Sequence, residues 1–351
     1  MFIAQYSDLR CVRGEWLGTR WPRRVSCHEF DFWFFASLMI KKVQVAAAVM
    51  TRPDGRFLLG QRAPDTFYAG YWEFPGGKLE AGESARDALV RELEEELGIV
   101  VDEAWPWLVR EHHYEHAHVT LHFFEVPAWR GEMKPHVHSA MVWQQADALS
   151  VEPMLPANGP ILKSLRLPRQ MGVTHAHEIG VAAQLLALDA ALARGLRCVQ
   201  IREPGLSELE RAEFVRAVQT RCRAHGALCL LNASPAEALA AGVEGVHLSS
   251  AQLAALEVRP DLEWVGASCH TRAELERVAA LGLDYAVLGS VLSTPSHPHG
   301  PTLGWEGFYA LTRDLPMPVL AIGGLATGDT AQARAAGAHG MASIRAAWAA
   351  E

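Results

Sequence analysis

The sequence lacks the features that mark membrane-spanning, secreted and polynucleotide-binding proteins. Its apolar run at 30–40 has only 11 residues, one of them charged, whereas a membrane span needs about 20. Lys41 and Lys42 follow that run, where a signal peptide would carry small residues before its cleavage site. The net charge of −8 leaves no polybasic footprint for a nucleic acid. We therefore expect neither a membrane nor a polynucleotide partner.

Cysteines are few, and their spacing indicates no disulfide framework. The six cysteines form no C-x-x-C pair in a chain of 351 residues, which is long enough to fold without disulfides. They are Cys11, Cys27, Cys198, Cys222, Cys229 and Cys269. This pattern predicts a reducing, cytoplasmic environment. The length predicts two domains, and the 50% hydrophobic content is ample for packed cores.

The most informative stretch is a pair of glycines followed by an acidic helix. Over 84–97 the apolar residues recur at three- and four-residue steps, which predicts an amphipathic helix. Glu92, Glu95 and Glu96 would share one of its faces. That face could simply be solvated. However, like charges one turn apart repel each other, and a hard divalent cation would convert the repulsion into ligation. The preceding glycines, Gly76 and Gly77, let the backbone approach a phosphate or a metal.

The same stretch matches a known pattern at every fixed position. Gly77, Glu83 and the run 91–99, Arg-Glu-Leu-Glu-Glu-Glu-Leu-Gly-Ile, reproduce the Nudix box G-x5-E-x7-R-E-U-x-E-E-x-G-U. The chain thus resembles the Nudix family, which hydrolyses nucleoside diphosphates linked to another group and uses Mg²⁺ or Mn²⁺. The implied catalytic residues are Glu83, Arg91, Glu92, Glu95 and Glu96, and the implied metal ligands are Gly76, Glu92, Glu95 and Glu96. One box glutamate would help to deprotonate water.

Segments outside the box look like the MutT branch, which hydrolyses 8-oxo-dGTP to 8-oxo-dGMP and pyrophosphate. These segments are 61–62, 72–78 and 155–158. The implied substrate-binding residues are Arg62, Phe67, Glu73, Phe74, Pro75, Gly76 and Asn158. Asn158 would read the oxidised guanine, because an amide can donate and accept at once. Each residue also has an ordinary structural interpretation, and other Nudix substrates such as ADP-ribose or a diadenosine polyphosphate stay open.

One segment departs from the family pattern. Nudix proteins often add a carboxylate from the loop before the last strand, whereas this stretch reads His136-Val-His138 and holds no acid. The histidines over 112–138 are dense enough to suggest zinc. Their spacing is not that of a tetrahedral site, and alternation between strand faces is the simpler interpretation.

The element pattern predicts two α/β domains after an N-terminal extension. Residues 1–40 are predicted to be disordered or not native, and residues 41–168 to form a Nudix α/β/α sandwich with a mixed sheet. Its predicted strands are 42–50, 56–62, 107–113, 119–126 (ended by Pro127) and 141–143, with a closing helix near 160–167. Residues 169–351 then alternate helices with short strands, which predicts a (β/α)8 TIM-type barrel. The eight strand candidates are 172–175, 198–202, 228–232, 245–248, 264–268, 285–289, 319–322 and 340–344.

The second half resembles thiamine phosphate synthase and its thiazole-tautomerase relatives. The likeness lies in 199–203 (Val-Gln-Ile-Arg-Glu), 245–248, 268–270 and 321–324. Sites of such barrels lie at the carboxyl ends of the strands. The implied ligand-binding residues are Gln200, Arg202, Asn232, Ser268, His270, Gly324 and Ser343.

Several catalytic positions of the synthase have lost their charge. Pro204 and His297 replace lysines, and Ala233 and Gln252 replace metal-binding aspartates. We therefore expect a degenerate barrel that binds a thiazole or thiamine phosphate without synthase activity. Two alternatives stay open: a sensor that regulates the hydrolase, and a partner that only stabilises it.

Overall fold

The computed structural model describes residues 10–12, 15–17, 25–26, 41–115, 117–294 and 300–349. The chain forms two compact units, one of 1–43 and 111–120 and the other of 44–110 and 121–351. In the smaller unit three short strands form an antiparallel sheet: β1 (Arg10–Val12), β2 (Glu15–Leu17) and β3 (Val25–Ser26). The other residues of the predicted N-terminal extension lie outside the described residues, as do His116 and His297.

Within the described residues of 41–168, called the first half from here on, the chain forms two sheets and two α-helices. The strands are β4 (Lys41–Met50), β5 (Phe57–Gln61), β6 (Trp72–Glu73), β7 (Gly76–Lys78), β8 (Val100–Tyr114), β9 (Ala117–Arg130) and β10 (Ala140–Gln144). The helices are α1 (Ala85–Leu97) and α2 (Gly159–Arg166), the latter preceded by a 3-10 turn at Pro156–Asn158. One sheet has the order β7-β4-β9-β8, and the other has the order β10-β5-β6.

Each predicted strand of this half is found, but two are longer than predicted and the short strands β6 and β7 were not predicted. The strand predicted over 107–113 begins at Val100. The prediction that the fourth strand ends at Pro127 is wrong, because β9 continues to Arg130. Proline lacks the backbone N–H, but its fixed φ is compatible with extended backbone. Pro127 therefore marks a missing backbone donor within the strand and not the end of the strand.

The sheet that contains β4 is covered by a helix on each face. Along this strand, Ala46, Ala48 and Met50 pack in a cluster with the buried residues of α1. The alternate residues Ala47 and Val49 pack in a second cluster with Ile161 of α2. Because successive strand residues point to opposite faces, a continuous apolar strand predicts cover on both sides. This is the expected α/β/α arrangement.

The second half is a closed parallel barrel in sequential strand order. Its strands are β11 (Gln170–Val173), β12 (Cys198–Ile201), β13 (Leu228–Asn232), β14 (Gly245–Leu248), β15 (Trp264–Cys269), β16 (Tyr285–Gly289), β17 (Val319–Ile322) and β18 (Gly340–Ser343). Its helices are α3 (Ala176–Ile179), α4 (Val181–Ala193), α5 (Glu208–Ala224), α6 (Pro235–Ala241), α7 (Ser250–Ala255), α8 (Arg272–Ala280), α9 (Gly304–Thr312) and α10 (Thr330–Ala335), with 3-10 turns at Thr327–Asp329 and Ala346–Trp348. All eight predicted strands are confirmed to within two residues.

Four successive barrel helices begin with a capping box. In each box, the side chain of the residue just before the helix accepts a hydrogen bond from the backbone N–H three residues later. The side chain of that later residue in turn accepts the backbone N–H of the first residue. The pairs are Ser207 with Glu210, Ser234 with Glu237, Ser249 with Gln252, and Thr271 with Glu274. Each helix start is thus set by four adjacent residues.

The barrel interior is filled by large side chains. Tyr285 is fully buried there, and a Cβ on Gly266 of the neighbouring strand would lie only 2.1 Å from the tyrosine Cζ. Glycine at this position therefore makes room for the ring. Within the part of the chain that the structure describes, none of the helices is both long and apolar enough to cross a membrane.

Within the larger unit, the barrel packs against the first half through buried polar contacts. Glu125 of β9 is 1% exposed and accepts two hydrogen bonds from Arg334, at 2.9 and 2.8 Å. Its other oxygen forms an ion pair with Arg169. Trp107 Nε1 donates to His339 Nδ1 at 3.2 Å. The two halves are therefore joined by a buried charge cluster, defined as Glu125, Arg169 and Arg334.

Candidate active site

Helix α1 carries the acidic face, and both of its ends are set locally. The hydroxyl of Ser84 accepts the N–H of Asp87, and Gly98 ends the helix with φ of 66°. The buried face comprises Ala88, Leu89, Leu93 and Leu97, each 0% exposed. With the apolar face fixed in the core, the helical period places the glutamates toward the β7 strand and solvent.

The three predicted metal-binding glutamates do not lie in equivalent places. Glu92 packs against Gly77, where a Cβ would lie 2.1 Å from the Glu92 carboxyl carbon. Glu96 Oε2 accepts the N–H of Gly76 at 3.0 Å. Glu95 is 60% exposed and accepts a 3.3 Å bond from Arg91. Thus Glu92 and Glu96 touch the glycine strand, whereas Glu95 points away from it.

Glu96 is the box carboxylate most changed by its surroundings. Burial raises its pKa to about 7, and the nearby charges of Glu73 and Glu92 add to this effect. The charge of His138 and the hydrogen bond from Gly76 act in the opposite direction. The carboxylates of Glu73, Glu92 and Glu96 therefore lie near one another in a partly desolvated region.

Arg91 ties the glycine loop to the helix. It donates to both oxygens of Glu83 at 3.0 Å, to Glu92 at 2.9 Å and to the carbonyl of Lys78 at 3.1 Å. The hydrogen bond from Arg91 is the main reason that the pKa of Glu83 is lowered. The resemblance implied that Glu83 and Arg91 belong to the site, and these contacts brace the loop before the helix against the helix itself.

A second arginine holds the loop that precedes the glycine strand. Arg62 Nη1 contacts both carboxylate oxygens of Glu73 at 2.7 Å, and its Nε donates to the carbonyl of Phe67 at 2.7 Å. The Phe67 side chain itself is 76% exposed. Arg62 thus holds the loop that carries this aromatic residue.

Some of these groups border one open cavity of about 320 Å³. The lining residues are Arg62, Ala63, Thr66, Glu73, Gly76, Gly77, Lys78, Glu92, Glu96, Val137 and His138. The cavity combines two cationic side chains with three carboxylates. The backbone of the two glycines beside them is not covered by side chains of its own. Such a combination can hold a phosphate chain together with a cation.

Four of the predicted substrate-binding residues lie outside this lining: Phe67, Phe74, Pro75 and Asn158. Phe74 packs in the core with Phe57 and Phe123, at ring distances of 5.7 and 5.8 Å, and Pro75 is buried beside it. Asn158 is 3% exposed, and its Nδ2 lies 3.4 Å from the carbonyl of Trp72. Contact between these residues and a nucleotide stays a prediction.

Sequence reasoning missed His138 as a residue of the cavity. The sequence showed only that this loop carries histidine where relatives of the family carry an acid. In the structure the imidazole is buried, and its Nε2 lies 3.8 Å from Glu73 Oε1. The loop position was therefore the available signal, although the type of residue pointed elsewhere.

The donor set fits a divalent cation. Carboxylate oxygens and a backbone carbonyl are ligands that hard cations prefer, and the buried Nδ1 of His138 has no hydrogen-bond partner in the described part of the chain. Within that part, no three His, Cys, Asp or Glu side chains are already gathered as a metal site. Arg91 draws Glu92 and Glu95 toward itself, and Gly76 holds Glu96.

The barrel brings several predicted residues together at its carboxyl end. The Asn232 amide lies 3.4 Å from Gln200 Oε1. His247, fully buried, contacts the Tyr285 hydroxyl at 3.0 Å and the Ser268 hydroxyl at 2.9 Å. Burial, with a smaller contribution from Arg202, lowers the pKa of His247 to about 3, so this imidazole is neutral at physiological pH.

His270 lies at the end of β15 and is exposed. Its Nδ1 lies 2.9 Å from the carbonyl oxygen of Gly289. Because a carbonyl can only accept, we assign the ring proton to Nδ1, which leaves Nε2 of the neutral ring as an acceptor. The residue can therefore take a proton from a ligand at the barrel mouth.

The other predicted barrel residues are more widely placed. The Arg202 side chain is exposed, and its backbone N–H donates to Thr174. A Cβ on Gly324 would lie 2.3 Å from the carbonyl of Ser293, so only glycine fits there. Ser343 borders a cavity of about 490 Å³ together with Arg194 and Thr327.

The positions that lost charge have other contacts. Gln252 accepts the N–H of Ser249 at 2.8 Å as part of its capping box, and Ala233 is buried. Glu203 ends the run 199–203 that carries the resemblance to the synthase, and its buried carboxylate accepts the N–H groups of Ala176 and His177 at 2.7 and 2.9 Å. The sequence marked this residue but could not show these contacts, because its partners lie 27 and 26 residues away.

Comparison with protein families matches both halves. Residues 41–165 match the NUDIX domain, and residues 171–347 match thiamine monophosphate synthase. The CTP pyrophosphohydrolase of Escherichia coli is 39% identical over 125 residues, which are 36% of this chain and 92% of that protein. The 8-oxo-dGTP diphosphatase of Escherichia coli is 33% identical over 127 residues, covering 36% and 98%. The putative thiamine-phosphate synthase of Geobacter sulfurreducens is 36% identical over 178 residues, covering 50% and 84%.

These matches agree with the geometry of each half. Nudix hydrolases generally use a divalent metal such as Mg²⁺, which the cavity's donor set fits. The first half supports nucleoside triphosphate pyrophosphohydrolase activity. The chain belongs to the thiamine monophosphate synthase family through its barrel, and it carries a Nudix hydrolase domain with MutT-like relatives ahead of that barrel.

Proposed function

We propose that the Nudix domain hydrolyses 8-oxo-dGTP to 8-oxo-dGMP and pyrophosphate with Mg²⁺ or Mn²⁺. The observation that carries the proposal is the single cavity in which Glu92 and Glu96 face the Gly76–Gly77 strand and Arg62. The relative named 8-oxo-dGTP diphosphatase supports the choice of substrate.

Each group in the cavity has a distinct task in this reaction. Arg62 and Lys78 offset the charge of the phosphate chain, and the glycine strand lets it approach the backbone. A box carboxylate accepts a proton from water, whose oxygen adds to a phosphorus as the bond between the α- and β-phosphates breaks. Glu92, Glu96 and the carbonyl of Gly76 would hold a divalent cation, which would polarise the phosphate oxygens and lower the pKa of water.

The roles of the three box glutamates can be tested by neutral substitutions in the full chain. Glu92→Gln and Glu96→Gln should each lower turnover by at least roughly 100-fold, the scale of one positioned catalytic group. The resemblance predicts the same for Glu95→Gln, although this side chain is 60% exposed. Glu94→Gln, on the exposed side of the same helix, is the control. Near-wild-type rates in two of the three variants would contradict the assignment.

A second candidate substrate is CTP, since the 39% identical relative is named CTP pyrophosphohydrolase. The two candidates are separated by incubating the full chain with 8-oxo-dGTP, dGTP, CTP and dCTP while scoring pyrophosphate and phosphate release. We expect pyrophosphate, with the highest kcat/KM for 8-oxo-dGTP. The highest value for CTP would replace the first proposal, and release of phosphate alone would contradict both.

We further propose that the barrel binds a thiazole or thiamine phosphate without joining it to a pyrimidine pyrophosphate. The support is the loss of two metal-binding positions, at Ala233 and Gln252, beside the preserved acceptor Nε2 of His270. Calorimetry on the full chain without magnesium should detect binding of thiazole phosphate. Gly324→Ala should abolish it, because the added Cβ would meet a carbonyl. Formation of thiamine phosphate would refute the loss of synthase chemistry, and no heat with either ligand would favour a purely stabilising barrel.

A further inference from the structure

His138 is held in a fixed position beside the Nudix cavity. It lies in the loop between β9 and β10, and its residue is 7% exposed. The ring packs on the backbone of Gly60 in β5, where an added Cβ would lie 2.4 Å from the ring Cδ2. The next residue, Ser139, donates its N–H to the carbonyl of Gln61 at 2.9 Å. The imidazole therefore cannot turn out to solvent without moving this loop.

Neither ring nitrogen has a hydrogen bond within the described part of the chain. Nδ1 is buried without a partner, and Nε2 lies 3.8 Å from Glu73 Oε1, which is beyond hydrogen-bond distance. A buried polar atom left without a partner costs about 1–3 kcal/mol. An apolar side chain at this position would avoid that free-energy cost, yet the loop carries an imidazole.

The surroundings of the ring indicate what the missing partner is. Glu73, Glu92 and Glu96 line the same cavity, and Glu96 is influenced by the charges of both Glu73 and His138. Several carboxylates disfavour an anion next to the ring and favour a cation. An imidazole nitrogen among carboxylates suits a borderline metal such as Co²⁺ better than Mg²⁺ or Mn²⁺, which prefer oxygen ligands.

We propose that His138 contributes a ring nitrogen to the divalent-cation site of the Nudix cavity, and that the site consequently prefers Co²⁺ to Mg²⁺ more strongly than an all-oxygen site would. This inference rests on the proposed hydrolase function. It assigns a residue outside the Nudix box to the site, in the loop where the sequence offers histidine in place of an acid.

The test is calorimetric titration of the metal-free full chain with CoCl₂ and with MgCl₂, in the absence of nucleotide. His138→Gln should weaken Co²⁺ binding by at least roughly 10-fold and leave Mg²⁺ binding within about 3-fold. His136→Gln is the matched control, since this ring lies two residues away and outside the cavity lining. All proteins carry His118→Gln, because the His113 and His118 rings, 4.1 Å apart, could bind Co²⁺ independently.

A second readout keeps the inference testable if His138→Gln does not fold. Co²⁺ added to the otherwise wild-type protein should shift the ring proton resonances of His138 by its paramagnetism. Equal Co²⁺ affinity in His138→Gln, or an unshifted His138 ring, would overturn the inference while the hydrolase proposal stands. If the protein binds neither cation and Glu92→Gln keeps full activity, both fail.

Discussion

The buried charge cluster predicts a large and specific loss of stability on removal of Glu125. This carboxylate is 1% exposed and faces two guanidinium groups whose side chains are 19% and 30% exposed, those of Arg334 and Arg169. Removing one partner of a buried ion pair costs about 3–5 kcal/mol, because the remaining charges stay desolvated. Since both arginines retain some access to water, we expect about 3 kcal/mol for Glu125→Ala.

Urea unfolding followed by far-UV circular dichroism measures this loss. Asp102→Ala is the matched control, because Asp102 pairs with Arg130 on the surface and such pairs contribute about 0–1 kcal/mol. Adding Arg334→Ala to Glu125→Ala should cost less than the two single changes together, since it removes one of the stranded cations. If Glu125→Ala destabilises the chain no more than Asp102→Ala, the cluster does not join the two halves energetically.

Two further predictions concern the nucleotide pocket and the barrel. Asn158→Ala should narrow the preference for 8-oxo-dGTP over dGTP by about 1–3 kcal/mol in kcat/KM, the scale of an unpaired buried polar group. An unchanged preference would favour the other Nudix substrates. In the barrel, hydrogen bonds from Ser234, with Arg211 nearby, lower the pKa of Glu237 from 4.5 to about 2. A depressed pKa stabilises the fold above about pH 4.5, and this contribution is lost as the pH falls toward 2. Glu237→Gln should therefore melt below wild type at pH 6, with a difference that shrinks by pH 3, and a constant difference would contradict this.

Most of the fold was predictable because its signals are local. The helix α1 is defined by Ser84, Gly98 and an apolar period between them, and the structure confirms all three. The barrel strands are short apolar runs between capped helices, so their order and number could be read directly. The strand end at Pro127 was misplaced because proline affects one donor, whereas pairing with neighbouring strands determines where β9 stops.

The site was predictable in residue type and less so in arrangement. The box identified Glu92, Glu95 and Glu96 as one acidic face, but a helical period alone could not show that Glu95 bonds to Arg91 and stays 60% exposed. His138 reaches the cavity only because Gly60, far away in sequence, leaves room for its ring. Contacts of this kind depend on tertiary packing, which a single sequence does not display.

The capping boxes of the barrel also bear on how its chemistry could change. Each box fixes a helix start with four neighbouring residues, for example Ser234 to Glu237 directly after Asn232 and Ala233. A strand-end residue just ahead of a box can therefore be exchanged without moving the helix behind it. Gln252 lies within a box and accepts a hydrogen bond that caps its helix, at a position where the resemblance to the synthase implies a metal-binding aspartate. Residues at the strand ends of such a barrel can therefore change one at a time without loss of the fold.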